Sequence, residues 1–139
     1  MAFEINTSIE IKSSAENIWQ KLTTFSEYAE WNPFIKSIKG DVSKGKQIEV
    51  SAGGMSFRPL VLTYNAHKKL EWKGKLLFSF LFEGTHLFEI VEHAENECTF
   101  NHSEKFKGIL VPLLKRKLQN ETKPGFESMN QALKKEVES

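Results

Sequence analysis

Residues 82–106 read Phe-Glu-Gly-Thr-His-Leu-Phe-Glu-Ile-Val-Glu-His-Ala-Glu-Asn-Glu-Cys-Thr-Phe-Asn-His-Ser-Glu-Lys-Phe. Two stretches in which apolar and polar residues alternate flank a polar turn at 94–97, the pattern of a β-hairpin. The spacing predicts strands over 81–92 and 98–107. In the first, Phe82, Gly84, His86, Phe88 and Ile90 form the more apolar parity; in the second, Phe100, His102, Glu104 and Phe106 do. Residues of one parity share one face of a sheet, so both sets are expected on the inner, concave side. His86 and His102 then stand on neighbouring strands near the same depth.

Turn signals at 40–45, 52–55, 67–69 and 73–75 separate further runs rich in Ile, Val, Leu, Phe and Trp, and predict strands over 34–42, 46–52, 57–66 and 69–77. Residues 3–12 put Phe3, Ile5, Ile9 and Ile11 on one parity, which adds a first strand and makes seven. Between this strand and the next, Ser13-Ser14-Ala15-Glu16 matches a capping box with Ser13 as the N-cap, followed by a buried stripe of Ile18, Trp19 and Leu22. A second short helical turn over 25–30 stops before Pro33, which disfavours helix at Asn32. From Pro112 onward, Leu114, Leu118, Thr122, Phe126, Met129, Leu133 and Val137 recur at helical spacing and predict one long helix, bent at Pro124-Gly125.

The length of 139 residues fits a single domain over 1–139. Nineteen Lys and Arg balance 18 Asp and Glu, a net charge of +1, which argues against nucleic acid captured by bulk electrostatics. One cysteine, Cys98, forms no intramolecular disulfide, and the N-terminus lacks a charged segment followed by an apolar run. No apolar stretch reaches the roughly 18 residues of a membrane span. A cytoplasmic protein without stable membrane insertion is expected.

Several stretches resemble the bacterial SRPBCC branch of the START-like superfamily, often labelled polyketide cyclase/dehydrase-like. They are Ile11 to Trp19, the segment 25–34 with its Trp31-Asn32-Pro33-Phe34, Leu70-Glu71-Trp72-Lys73-Gly74, Gly84-Thr85-His86-Leu87-Phe88, the segment 102–108, and 125–134. The resemblance spans essentially the whole chain. It implies an α+β helix-grip fold, in which a seven-stranded curved antiparallel sheet wraps around a long C-terminal helix, with two short helices between strands one and two. Two features depart from the family pattern: Pro124-Gly125 interrupts a helix that is usually continuous, and the hairpin tip Gly53-Gly54 is unusually bare.

A strongly curved sheet cannot press its whole concave face on one straight helix, so this architecture leaves a gap. Ligand pockets of that kind are apolar with a few convergent polar groups. Phe57, Val61, Trp72, Phe88, Phe100, Phe126, Met129 and Leu133 are the candidate walls, and His86, His102 and Glu104 the candidate polar anchors. Paired imidazoles beside a carboxylate suit general acid/base work near neutral pH. The favoured expectation is structural: hydrogen-bonded core or rim histidines, with Glu104 neutralised by a partner such as Arg58 or a lysine. No metal is expected, since His67, His86, His93 and His102 lack ligand spacing, and no cofactor is expected, since Gly53-Gly54 and Gly40/Gly45 read as turns and not as a phosphate loop. Cys98 reads as a small buried hydrophobe.

The run 76–82 is almost wholly apolar and suggests a cavity lip, a buried strand end or a homodimer contact, with Lys115-Arg116-Lys117 as a neighbouring basic cluster. The leading functional expectation is a carrier of a lipophilic or aromatic small molecule. The alternatives are a cyclase, aromatase or dehydratase on a polyketide-like substrate using His86 or His102, and a protein-interaction module of co-chaperone type.

Overall fold

The computed structural model describes residues 2–75, 78 and 80–138. The apolar run 76–82 is thus described only at Phe78 and over 80–82; Leu76, Leu77 and Ser79 lie outside the described residues. Strand β1 (Ala2–Ile11) leads into α1 (Ala15–Thr23), a 3-10 turn (Phe25–Glu27) and α2 (Tyr28–Trp31). Strands β2 (Ile35–Lys39), β3 (Glu49–Ala52), β4 (Met55–Phe57), β5 (Leu60–Asn65), β6 (Lys69–Lys75), β7 (Glu83–Ala94) and β8 (Glu97–Lys107) follow. The chain closes with α3 (Val111–Lys117), a π-helical turn (Leu118–Thr122) and α4 (Lys123–Glu138). This is the α+β helix-grip arrangement of a curved antiparallel sheet around a long C-terminal helix.

Among the described residues there are eight strands, one more than expected, in two antiparallel sheets ordered β1-β8-β7-β6-β5 and β2-β3-β4. The expected strand over 57–66 is divided by Arg58-Pro59. Proline has no N–H to give a ladder, so pairing ends there and restarts at Leu60. The two sheets still join beside the break, where the Ile48 N–H donates to the Pro59 carbonyl at 3.0 Å and the Val61 N–H to the Lys46 carbonyl at 2.9 Å.

The first helix begins one residue later than the capping-box reading placed it. Ser14, not Ser13, is the N-cap, its Oγ accepting from the Asn17 N–H at 3.1 Å, and Ser13 is buried. With Asn17 at the third helical position, Glu16 cannot close the reciprocal arm of a capping box. After α2, the Asn32 side-chain oxygen accepts from the N–H groups of Phe34 (2.9 Å) and Ile35 (2.8 Å), a local turn that redirects the chain into β2.

Where Pro124-Gly125 predicted a bend, the departure from α-helical geometry sits one turn earlier, in the π-helical residues, with the Lys123 N–H donating to the Leu118 carbonyl. Pro124 is the second residue of α4, directly after the π-helical turn. Gly125 has its own reason. A Cβ there would overlap the ring of Phe34, which meets Phe126 edge-on at 5.4 Å. The same ring borders Gly53 in the β3–β4 turn. Both departures from the family pattern therefore converge on Phe34, which ties the small sheet to the helix.

Val61, Phe88, Phe100, Phe126, Met129 and Leu133 are each at most 1% exposed. Burying a side chain of this size stabilises the fold by about 1.5–3 kcal/mol.

Candidate functional site

The strand registers set the site. Trp72 stands opposite His86 and His86 opposite Glu104, while Phe88 stands opposite His102 and His102 opposite Thr7, so two adjacent rows of inward side chains cross the sheet. Directly opposed side chains lie within contact distance and diagonal ones within reach of rings, which brings the two imidazoles together. His86 Nε2 lies 2.8 Å from His102 Nε2, and His86 Nδ1 lies 3.2 Å from Glu104 Oε1. His102 Nδ1 lies 2.9 Å from Asn130 Oδ1, on α4. Rings brace both imidazoles: Trp72 stacks on His86 at 5.0 Å and Phe126 on His102 at 4.0 Å.

The direction of this chain follows from donor counting. The Thr7 hydroxyl donates to the His102 carbonyl at 2.6 Å, so its oxygen is left to accept from the Asn130 Nδ2–H at 2.9 Å. That turns the Asn130 amide oxygen to His102, whose Nδ1 must carry the proton. Burial holds the His102 imidazole well below the usual histidine range, and the charge on His86 acts in the same sense, outweighing the Asn130 amide and the Phe126 carbonyl. Neutral His102 therefore offers a bare Nε2, to which the His86 Nε2–H donates. One proton remains between His86 Nδ1 and Glu104 Oε1.

Glu104 was expected to find Arg58 or a lysine. Arg58 instead pairs with Glu49 at 3.0 Å, both exposed, and the carboxyl of Glu104 meets His86. Its second oxygen fits over Gly84, where a Cβ would collide with it. Gly84 stands directly opposite Gly74, so a patch of the sheet's inner face is bare of side chains.

A cavity of about 590 Å³ opens over this patch. The small sheet contributes Phe34, Val50, Ala52 and Phe57; the large sheet Trp72, Gly74, Gly84, His86, Glu104 and Phe106; the helical segment Leu114, Leu118 and Thr122. Gln47, Ser56, Arg58, Lys75, Lys117, Glu121 and Thr122 stand in its lining as the polar and charged side chains beyond Glu104 and His86. Of the residues singled out in the sequence, Phe57, Trp72, His86 and Glu104 border the cavity. Val61, Phe88, Phe100, His102, Phe126, Met129 and Leu133 are packed in the core and do not border it. Thr7, Phe34, Gly74, Gly84 and Asn130 were not singled out for the site. A polar Asn130 between Phe126, Met129 and Leu133 on one helix face, and Thr7 on the parity of Ile5 and Ile9, were the available signals.

Among the described residues no group of three or more His, Cys, Asp or Glu is placed to hold a metal. Cys98 is buried, and burial pushes its thiol up, with the charges of Glu92 and Glu10 adding to the effect. No helix among the described residues is long and apolar enough to cross a membrane.

Residues 2–138 match the family model described as polyketide cyclase/dehydrase and lipid transport. No curated protein sequence matches the chain. Among solved structures, a hypothetical protein of Helicobacter pylori superposes with a TM-score of 0.82 at 11% identity, over 97% of this chain and 88% of its own. A START superfamily protein of Mycobacterium smegmatis gives 0.71 at 22% identity, over 97% of both chains. Norcoclaurine synthase of Thalictrum flavum gives 0.74 at 14% identity, over 99% of this chain and 94% of the enzyme. At these identities the likeness is one of fold.

Proposed function

The chain belongs to the polyketide cyclase/dehydrase and lipid transport family, and from that premise we propose that it binds a lipophilic or aromatic small molecule in the cavity between its two sheets and the C-terminal helix. The observation that carries this reading is the cavity's composition: about 590 Å³ walled by Phe34, Phe57, Trp72, Phe82 and Phe106, with the Glu104–His86 pair on its inner face. Volumes of 300–1,000 Å³ with apolar walls and few polar groups are usual for sites that enclose a small molecule. Both nitrogens of His86 are engaged, so on the inner face of the large sheet the free Glu104 oxygen is the polar contact offered to a ligand. It accepts a hydrogen bond, and a hydroxyl, phenol or N–H on the ligand is preferred. His102 acts behind this contact by fixing His86, and the single buried cysteine agrees with a reducing, cytoplasmic setting.

The test is uptake of N-phenyl-1-naphthylamine, an aromatic probe with one N–H, followed by fluorescence, alongside native mass spectrometry of protein from its own host. Saturable enhancement is expected. Absence of both enhancement and any co-purifying molecule would end the carrier reading.

A second reading, catalysis, is favoured by the shared proton. A carboxyl and an imidazole that hold one proton between them can accept or return a proton at the free Glu104 oxygen, as general acid/base chemistry on a polyketide-like substrate requires. Turnover of a poly-β-ketone that disappears in Glu104→Gln, with probe uptake retained, would establish it.

A further inference from the structure

We propose that the end of the molecule that carries Lys73, Lys75, Phe78, Phe80 and the 105–117 segment docks on an anionic lipid bilayer, with Phe78, Phe80, Ile109 and Leu113 entering the headgroup layer. These four side chains are 59–78% exposed, the most exposed large apolar groups of the described chain. They form one patch. The Ile109 N–H donates to the Phe80 carbonyl at 3.1 Å and the Leu110 N–H to the Leu81 carbonyl at 3.0 Å, while the rings of Phe78 and Phe80 stack at 5.7 Å.

Charge says what covers the patch. The stretches 73–82 and 105–117 carry Lys73, Lys75, Lys105, Lys107, Lys115, Arg116 and Lys117 and no acidic residue, in a chain whose 19 basic and 18 acidic residues nearly cancel over its whole length. Two of the seven are answered by carboxylates, Lys73 by Glu83 at 3.4 Å and Lys105 by Glu4 at 3.9 Å. On α3, Val111 and Leu118 turn inward while Leu113 is 78% exposed; Arg116 and Lys117, three and four residues on, share its side of the helix. An exposed apolar tip with basic side chains beside it is complementary to a surface that is apolar below and anionic above. A second copy of the chain fits poorly, because a two-fold contact presses the same patch on itself and sets basic rim against basic rim. Nucleic acid offers charge but no apolar layer for four such side chains. The inference stands on this surface alone and holds whatever occupies the cavity; Lys75, Lys117 and Leu114, which border the cavity, place its opening beside the membrane.

The experiment is co-sedimentation of the full chain with vesicles of equal parts phosphatidylglycerol and phosphatidylcholine, against vesicles of phosphatidylcholine alone. Binding to the anionic vesicles is expected, weakening as salt rises. Arg116→Gln should lower the affinity about fivefold, the equivalent of about 1 kcal/mol for one basic residue at an anionic surface. Phe80→Ser with Leu113→Ser should lower it by on the order of tenfold or more, since each removes a large apolar group from the bilayer. All of these side chains are exposed, so an unchanged melting temperature is the control for folding. Equal binding by the serine variant, or no binding to anionic vesicles by the wild-type chain, overturns the proposal. A dimer in sedimentation velocity that is lost in Leu113→Ser overturns it in favour of a second copy.

Discussion

The ring of Phe34 rests on the backbone of Gly125, so closely that the place of a side chain on that helix residue is already taken. The contact makes a helix glycine, ordinarily a weak point, into a packing requirement. Among the described residues it also makes Phe34 the one ring shared by the two apolar clusters and the cavity wall.

Replacing Gly125 with Ala inside a solvent-facing helix would stabilise the protein by about 1 kcal/mol. Here the sign is expected to reverse, because overpacking a filled site costs about 1–3 kcal/mol. Thermal unfolding should show a lower Tm for Gly125→Ala. In a cycle with Phe34→Leu, the double variant should lose less than the two single losses combined. A Gly125→Ala protein more stable than wild type would refute the contact's importance.

The pH dependence follows from His102. Its imidazole is held neutral in the folded chain and titrates in its ordinary range, near about 6.5, once unfolded. Below that pH the unfolded chain binds a proton that the folded chain refuses, so stability is complete above it and is lost as pH falls. The slope contributed by this one group approaches about 1.4 kcal/mol per pH unit. Chemical denaturation between pH 7.5 and pH 5 should show the decline, and His102→Gln, which cannot titrate, should flatten it.

Thr122 borders the cavity from the π-helical turn and is only partly buried. Thr122→Trp should fill the space and cut probe uptake by on the order of tenfold while shifting Tm little, because an open void tolerates bulk that a packed core does not. The same enlargement at Phe126 or Met129, which lie in the packed core, should unfold the protein first. Similar stability losses at Thr122 and Met129 would show that no usable cavity exists.

Gly84→Ala should expel the Glu104 carboxyl from its place beside His86. The expected result is selective: weaker binding of a probe with a hydroxyl or N–H donor, by roughly tenfold as one charge-assisted hydrogen bond is lost, and little change for a pure hydrocarbon such as pyrene. Equal losses for both probes would place the polar contact elsewhere.

Dialysis against a strong chelator should leave Tm unchanged. All four ring nitrogens of His86 and His102 are committed to hydrogen bonds, which leaves none to ligate an ion. A fall of many degrees would contradict the hydrogen-bond assignment itself.

The inward parity of β7 and β8 was legible because alternation is local: Gly84, His86, Phe88 and Ile90 announce their face within seven residues. The division of the sheet was legible in principle from Pro59, yet the apolar run around it read as one strand. What alternation cannot give is register across distant segments. Thr7 and Asn130 reach His102 from 95 and 28 residues away, and only the pairing of β1 with β8 and the seating of α4 bring them there. The cavity was misplaced toward the helix for a similar reason. Large side chains such as Phe126 and Met129 look like walls, whereas the opening is made where side chains are missing, at Gly74 and Gly84.

The π-helical turn amounts to one residue more than an α-helix would use over the same stretch. Since each residue advances a helix by about 100°, that surplus sets the azimuth of α3 against α4. Phe126, Met129 and Leu133 can thereby face the core while Leu114 and Leu118 face the cavity. Removal of a single residue from 118–122 would act as a rotation more than a shortening: it would swing Leu114 away from the cavity, carry Leu113 with it, and leave both ends of the helix intact but out of phase.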